Sequence, residues 1–235
     1  MIETSKALKD LFYKYTHLTL GGKKIRCPYW VNKIKKGLVG PLGGKGTPEQ
    51  IVDVAEYQAN KDGFDFQAAS EEEIINFLLK KKIGVDCSGF AFWMLNALDL
   101  AKGGDGIAND ITGSKGRFIS ARANVAMLTD EKVSIPVELK EARVGDMIQL
   151  RGRKHVAIIT KIFKDGEEIR AIEYCHSSCL TEINGVHSSE VKIINPQGSL
   201  KDQLWKEKTK DGENYGTVSF LEQLGDGLRR LKIWA

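Results

Sequence analysis

The sequence predicts an α+β fold, with helices first along the chain and an antiparallel sheet after them. Two capping boxes mark helix starts, one pairing Thr47 with Gln50 and the other pairing Ser70 with Glu73. Three β-rich runs separated by short turns follow Asp146. A block of helices followed by a block of strands is typical of the α+β class.

Three helices are predicted in the first third of the chain. Apolar residues at helical spacing over residues 8–15 predict the first, which ends before Gly21. The two capping boxes begin the second helix, which runs to about Asn60, and the third, which ends near Gly84. A glycine-rich loop is expected over residues 37–46.

A fourth helix is predicted to be buried. Residues 90–98 are apolar almost all round, which is typical of a helix inside a domain, and Cys87 lies at its first turn. A polar, glycine-rich surface loop is expected over residues 101–110, and residues 111–141 show no clean period.

The second half of the chain reads as an antiparallel meander. Its strands are predicted at residues 147–150, 156–163 and 169–174, with turns at residues 151–153 and 164–166. Further apolar residues are expected to add edge strands around Val186 and at residues 191–194 and 228–234.

Composition favours one domain over residues 1–235 and excludes several classes of protein. Of the 235 residues 42% are apolar, which is enough for a real core. Lys+Arg exceed Asp+Glu by 35 − 31 = 4, but the basic residues are scattered in pairs, so nucleic acid is not an expected partner. The four cysteines are too few and too irregularly spaced for a disulfide framework, and free thiols are expected.

No targeting segment is visible in the sequence. Residues 1–10 are mixed with charged side chains, unlike a cleavable signal, and no stretch is apolar enough to cross a bilayer. The chain as written therefore reads as cytoplasmic, or as exported by another route.

Cys87 is the candidate nucleophile. A thiol attacks carbonyl carbon as the thiolate, which the amino terminus of a helix stabilises. Asp86 and Cys87 lie where the buried helix begins, and Gly89 allows a close backbone approach. A lone cysteine before an apolar helix is more often a small core residue, so the motif needs partners.

Two histidines on neighbouring predicted strands supply those partners. His155 begins one strand, and His176 lies at the far end of the next. If the two strands pair antiparallel through the turn at residues 164–166, both histidines lie at the same end of the sheet. A nucleophile, a base and a polar orienting residue form the generalised triad of covalent hydrolases.

In order and context, three motifs resemble those of the NlpC family of papain-like cell-wall cysteine peptidases. They are the run from Asp86 to Phe90, Gly145-Asp146 ahead of the run from His155 to Ile158, and the run from His176 to Ser178. The resemblance spans residues 85–194, within a catalytic core of about residues 85–195. It implies a papain-like fold with Cys87 as nucleophile, His155 as base and His176 as the residue that orients His155.

The resemblance also implies a substrate and its contacts. The expected reaction is hydrolysis of an amide bond in peptidoglycan stem peptides through a thiol acyl-enzyme, without a cofactor. Tyr29 is the expected oxyanion donor besides the Cys87 amide, with Tyr57 as the alternative, and Asp86 and Ser88 match positions that contact the free amino end of the substrate. The family tyrosine usually lies closer to the cysteine, so residues 31–83 are expected to form a helical insertion.

Other interpretations remain open at this point. The same Cys-His-His core suits an amidase, an acyltransferase or a transpeptidase, and it also suits a peptide-binding module without activity. A lysis or effector protein that acts on a foreign wall would fit the missing signal. We expect no metal, because Cys175 and Cys179 beside His176 lack the paired spacings of a zinc site. His17 and His187 are expected at the surface, and Trp205 is the tryptophan expected to face a substrate.

Overall fold

The computed structural model describes residues 1–32, 40–112 and 122–235, and within them the fold is α+β. Helices pack on an antiparallel sheet. The helices are α1 (Lys6–Thr16), α2 (Pro48–Asp62), α3 (Glu71–Lys81), α4 (Cys87–Ala101), α5 (Ala108–Thr112), α6 (Val125–Leu128) and α7 (Tyr215–Ser219). The strands are β1 (Ile2–Thr4), β2 (Leu18–Leu20), β3 (Lys23–Ile25), β4 (Ser134–Val137), β5 (Met147–Leu150), β6 (His155–Asp165), β7 (Glu168–Ser178), β8 (Gly185–Lys192), β9 (Leu204–Trp205) and β10 (Gly227–Leu231).

The predicted helices are confirmed, with their caps. Thr47 and Ser70 each accept a hydrogen bond from the backbone N–H three residues on, and the Gln50 and Glu73 side chains complete both capping boxes. Helix α4 is apolar on nearly all sides because it is packed between α1 and strands β6 and β7. None of the helices in the described ranges is long and apolar enough to span a membrane.

The predicted meander is confirmed as the centre of a larger sheet. Strands β5, β6, β7 and β8 pair antiparallel in sequence order, and the full order is β4-β10-β5-β6-β7-β8-β9. Strand β1, which the sequence did not indicate, pairs with the second half of β6. Strands β2 and β3 form a separate hairpin.

Two expectations about the sheet were wrong. The carboxyl-terminal strand β10 does not lie at an edge: it is inserted between β4 and β5 and is hydrogen-bonded on both sides. Strand β8 is also internal, between β7 and β9. Strand β10 follows its neighbour β5 by about 80 residues, with β6 to β9 between them in the sequence. The sequence therefore carries no local signal of this pairing, because strand order is set by long-range packing.

The region without a clean period contains short elements. Helix α6 and strand β4 lie in residues 122–137, and each is too short to show a period in the sequence. Residues 113–121 of this region lie outside the described residues, as do residues 33–39, which include the start of the predicted glycine-rich loop at residues 37–39.

The sheet is buried on both faces, which explains why β6 reads as a continuous apolar run. Val156 and Ile158 join the cluster under the helices, whereas Ala157 and Ile159 join the second cluster on the opposite face. Residues from the carboxyl-terminal third cover that opposite face, including Leu200, Trp205, Tyr215 and Phe220. A polar side chain in the middle of a strand consequently needs a partner, as Thr160 has in Glu173.

The segment between residues 40 and 83 is not a separate unit. Helix α2 packs against β2, and α3 packs against β3. Buried residues of both helices belong to the same apolar cluster as α4, among them Ile51, Ala55, Ile74 and Leu78. These helices therefore help to support the start of α4.

A buried ion pair ties the last sheet strand to the motif ahead of His155. Arg230 on β10 donates from Nε to Oδ1 and from Nη2 to Oδ2 of Asp146, both at 2.8 Å. Asp146 is 1% exposed and Arg230 7%. The fork geometry fixes β10 beside β5.

Loss of this pair should be strongly destabilising. Asp146→Ala leaves the Arg230 guanidinium buried without its partner, and we expect a loss of about 3–5 kcal/mol in the free energy of unfolding. Urea titration of the variant measures it. The matched control is Glu138→Ala, whose partner Lys140 is exposed, and this variant should leave the stability nearly unchanged. Equal losses of stability in the two variants would show that the buried pair does not stabilise the fold more than a surface pair does.

Candidate active site

Cys87 is the first residue of α4, with its amino-terminal cap directly before it. The Asp86 side chain accepts a hydrogen bond from Gly89 N at 2.7 Å, which is the bond expected of a helix N-cap. Cys87 is 6% exposed, and the backbone amides of Val156 and Ser88 lie within hydrogen-bonding reach of its sulfur. Val156 directly follows His155, so the thiol lies against the start of β6.

A lysine from the preceding loop also lies at this helix start. Lys45 Nζ donates to Asp86 Oδ1 at 2.7 Å and to Ser88 Oγ at 2.6 Å. The loop approaches α4 so closely that a Cβ on Gly89 would lie 2.4 Å from the Gly44 carbonyl oxygen. All three polar side chains are buried.

The two predicted histidines meet, as the strand pairing required. Strands β6 and β7 are antiparallel, and His155 Nε2 lies 2.8 Å from His176 Nδ1. No described residue bonds to His155 Nδ1, so this nitrogen remains able to accept a proton. Ser177, next to His176, donates to the Val85 carbonyl at 2.7 Å and ties β7 to the segment that leads into Cys87.

His176 continues into a buried cluster that the sequence did not indicate. His187 on β8 is the residue directly opposite His176, and the Oε1 atom of Glu207, two residues beyond β9, contacts both. Oε1 lies 2.9 Å from His176 Nε2 and 2.6 Å from His187 Nε2. Tyr174 donates its hydroxyl proton to the other oxygen, Oε2.

The positions of the protons in this cluster follow from its acceptors. His187 Nδ1 faces the Gly185 carbonyl at 2.9 Å, and its Nε2 faces the Glu207 carboxylate at 2.6 Å. The Thr181 hydroxyl donates to the Ile183 carbonyl, so it is an acceptor towards His187 Nε2, which lies 3.2 Å away.

The same reasoning sets the direction of the histidine chain. His176 Nε2–H donates to Glu207, so His176 Nδ1 accepts from His155 Nε2–H and His155 Nδ1 keeps a free lone pair. Glu207 thereby selects the tautomer of His155 through His176, in the way that the carboxylate of a triad does.

One group of described residues could hold a metal ion, since its possible ligand atoms all lie within 4.8 Å of one another. The group consists of His176, His187 and Glu207. Neither Cys175 nor Cys179 belongs to this group. The three atoms are 2.6–2.9 Å apart, closer than the roughly 3.3 Å between tetrahedral ligands of zinc at ~2.0–2.1 Å. Hydrogen bonds account for the two distances to Glu207 Oε1, and we interpret the cluster as a proton network.

A cavity of about 620 Å³ opens beside Cys87. Its wall includes Tyr29, which forms a backbone bridge with Val85 and so lies beside the strand segment that enters α4. Burial, together with the Cys87 and Asp86 charges, raises the pKa of Tyr29, so its hydroxyl keeps its proton and can donate. Tyr57, the alternative oxyanion donor, is 65% exposed on α2 and does not line this cavity.

The opposite wall of the cavity is a strained turn. Arg151, Gly152 and Arg153 all adopt left-handed conformations, with φ of 60°, 60° and 64°. Non-glycine residues rarely adopt this region, and runs of them persist only where the surroundings enforce them. Buried Asp226 enforces it by accepting from Gly152 N at 2.9 and 3.1 Å and from Leu221 N at 2.9 Å.

Burial controls the protonation of the thiol and of its neighbour. Burial, assisted by Asp86, raises the pKa of Cys87 to about 12, and Lys45 opposes this rise. Burial also holds the pKa of His155 well below its usual value, and His176 and Arg151 add to the effect. The resting pair is therefore a neutral thiol and a neutral imidazole.

Two expectations about side chains were wrong, and the key partners were missed. His187 is 3% exposed and Trp205 2%, so neither is a surface residue, and Trp205 packs against Tyr174 and Phe220 instead of facing a substrate. The alternation of apolar and polar residues around Val186 could have placed His187 on a strand, opposite His176. Glu207 gave no signal, because it lies in a charged run, and Lys45 lies in a loop.

No family model, curated protein or solved structure matches this chain. The geometry of the site and the sequence motifs are therefore the features that bear on function.

Replacing Glu207 should destabilise the protein in a pH-dependent way. Burial alone would raise the pKa of Glu207, but the hydrogen bonds and charges of His176 and His187 outweigh it and lower that pKa. The stabilisation is then present above the pKa of the unfolded chain, about 4.3, and is lost as the pH falls through the lower pKa of the folded protein. Glu207→Gln should cost roughly 3 kcal/mol at pH 7 and progressively less below about pH 4.

Urea unfolding between pH 3 and 8 measures this difference. The control is Glu190→Gln, which removes a surface ion pair with Lys206 and should cost less than about 1 kcal/mol at every pH. A pH-independent loss in Glu207→Gln would contradict the ionised cluster.

The reactivity of Cys87 should rise with pH without an early plateau. Because the pKa of the thiol is raised, its alkylation by iodoacetamide should keep increasing from pH 6 to 9. Lys45→Met should be slower at each pH, since it removes the charge that lowers this pKa. Peptide mapping in a Cys179→Ser background, which removes the partly exposed thiol, gives the rate at Cys87. A plateau below pH 7 would instead indicate a thiolate–imidazolium pair.

Proposed function

We propose that this chain is a papain-like cysteine peptidase of the NlpC type that hydrolyses an amide bond in peptidoglycan stem peptides. The observation that carries the proposal is the chain of hydrogen bonds from His155 through His176 to Glu207, which begins beside Cys87 at the wall of an open cavity. The sequence motifs around Cys87, His155 and His176 supply the family and the substrate class.

The proposed reaction begins with a neutral pair. His155 Nδ1 takes the thiol proton as Cys87 attacks the carbonyl carbon, so that thiolate and imidazolium form together as the new C–S bond does. His176 and Glu207 stabilise the imidazolium through His155 Nε2–H. Helix α4 contributes the positive end of its dipole at the sulfur.

The oxyanion of the tetrahedral intermediate requires donors on the cavity side of Cys87. We assign the Cys87 backbone amide and the Tyr29 hydroxyl to this role. His155 then returns the proton to the leaving amine, the C–N bond breaks, and a water activated by the same imidazole cleaves the thioester. The acid and the thiol are the products, so Cys87 is regenerated.

Hydrolysis is favoured over acyl transfer by the surroundings of the thiol. The cavity is lined by exposed side chains, among them Arg153 and Lys154, so water reaches the acyl-enzyme. A transferase would instead need a pocket that excludes water while it holds an acceptor.

Mass spectrometry of purified muropeptides incubated with the protein tests the proposal. The wild type should release fragments whose masses identify the bond, whereas Cys87→Ala should release none. His155→Ala should lower the rate by roughly a hundredfold or more, because it removes the general base.

The matched control is His17→Ala. His17 is the one histidine of the four that lies outside the cluster, and its Nδ1 atom contacts Thr16 and the Tyr13 carbonyl. This variant should retain the wild-type rate. Cleavage by folded Cys87→Ala, or no cleavage by the folded wild type, would refute the proposed function.

A further inference from the structure

The groove beside Cys87 gathers positive charge that is dispersed in the sequence. Four cations line it besides Lys45, namely Arg122, Arg151, Arg153 and Lys154. Asp86 is the one carboxylate among the lining residues described. The groove thus carries an excess of four positive charges, equal to the formal net charge of the whole chain, +4.

The single carboxylate is not available to a ligand. Lys45 Nζ lies 2.7 Å from Asp86 Oδ1 and 2.6 Å from Ser88 Oγ, and both acceptors are buried under it. The position at which Asp86 and Ser88 would bind an amine is filled by an ammonium of the chain itself. A second ammonium there would meet a like charge at close range.

The four cations have no carboxylate partners. None of them forms an ion pair with any residue in the described ranges. Within those ranges Arg153 donates a side-chain hydrogen bond from Nη2 to the Ala126 carbonyl at 3.0 Å. Residues 33–39 and 113–121 contain no aspartate or glutamate, so the sequence holds no further acidic side chain that could neutralise them. Arg122, Arg153 and Lys154 are exposed and Arg151 is partly buried.

The chain holds two of these cations at a conformational cost. Arg151 and Arg153 occupy the left-handed turn that Asp226 clamps. Backbone strain of this kind persists where the surrounding structure enforces it, and it is found most often at binding and active sites. An arginine fork binds a carboxylate through two parallel hydrogen bonds.

We infer that the groove selects an anionic peptide, with a free carboxylate next to the scissile amide and no requirement for a free amine on the acyl side. Arg151 and Arg153 bind that carboxylate, and Lys45 replaces the substrate ammonium by occupying Asp86 and Ser88. This inference rests on the proposed function for the position of the scissile bond. It departs from the expectation that Asp86 and Ser88 contact the amino end of the substrate.

Four synthetic tripeptides with one common scissile amide test the inference. Their acyl-side residue is glutamate with a free carboxylate or its carboxamide, and their amino terminus is free or acetylated. Calorimetry measures their binding to Cys87→Ala, and mass spectrometry measures their cleavage by the wild type. The carboxylate should strengthen binding at least about tenfold, less at high salt, and acetylation should weaken it less than about twofold.

Variants assign the effect to residues. Arg151→Gln with Arg153→Gln, in the Cys87→Ala background, should reduce the carboxylate preference to within about twofold, and Arg151→Lys should retain part of it. Should the double variant fail to fold, Arg122→Gln with Lys154→Gln tests the same preference at exposed positions. The control is Arg170→Gln, which pairs with Asp165 and Glu168 near the other end of β7 and should change nothing.

The possible outcomes separate the two proposals. Carboxylate-dependent binding without cleavage would support the groove and refute the peptidase. Cleavage of carboxylate and carboxamide peptides at equal rates with equal affinity would overturn the groove alone, as would a tenfold loss of affinity on acetylation. Displacement of the carboxylate peptide by a short oligonucleotide of equal charge, at lower concentration, would show a nucleic-acid site and overturn the inference.

Discussion

The carboxylate of Glu207 is the constraint on which the arrangement of the candidate site depends. It is buried at the end of the sheet, where an unpaired charge would be very costly, so its neighbours must donate to it. Tyr174, His176 and His187 do so from two adjacent strands. Because His176 donates to Glu207, it must accept from His155 Nε2–H, and this leaves the lone pair on His155 Nδ1 free. One buried charge therefore sets the proton positions across three strands.

Burial of the sheet on both faces explains why this polar network lies where it does. Strand β6 contributes Val156 and Ile158 to one apolar cluster and Ala157 and Ile159 to the other. No polar side chain can be accommodated along its middle without a partner. The histidines of the network lie towards the strand ends next to the start of α4, where the helix terminus and the turn supply donors and charge.

At this end of the sheet the buried charged groups have partners, whereas the exposed cations do not. The buried groups are paired: Lys45 with Asp86, and His187 with Glu207. The cations nearer the solvent, such as Arg153 and Lys154, have no anionic partner within the described chain. Burial requires pairing because desolvation of a lone charge is expensive, whereas an exposed cation retains its water until a ligand replaces it. The groove thus combines a neutral Cys87 thiol with a lining that carries excess positive charge.

The sequence by itself determined the helices, the meander and the motif residues. Capping boxes and apolar periods depend on neighbours within four residues. His155 and His176 lie at similar distances from one hairpin turn, so the turn predicts that they meet when the two strands pair. Only the tertiary structure decided the partners of these residues. Glu207 reaches His176 through β8 and β9, Lys45 reaches Asp86 from a loop, and β10 enters the sheet between β4 and β5. Such contacts join segments far apart in the chain, and they are selected by burial and charge pairing, which leave no period in the sequence.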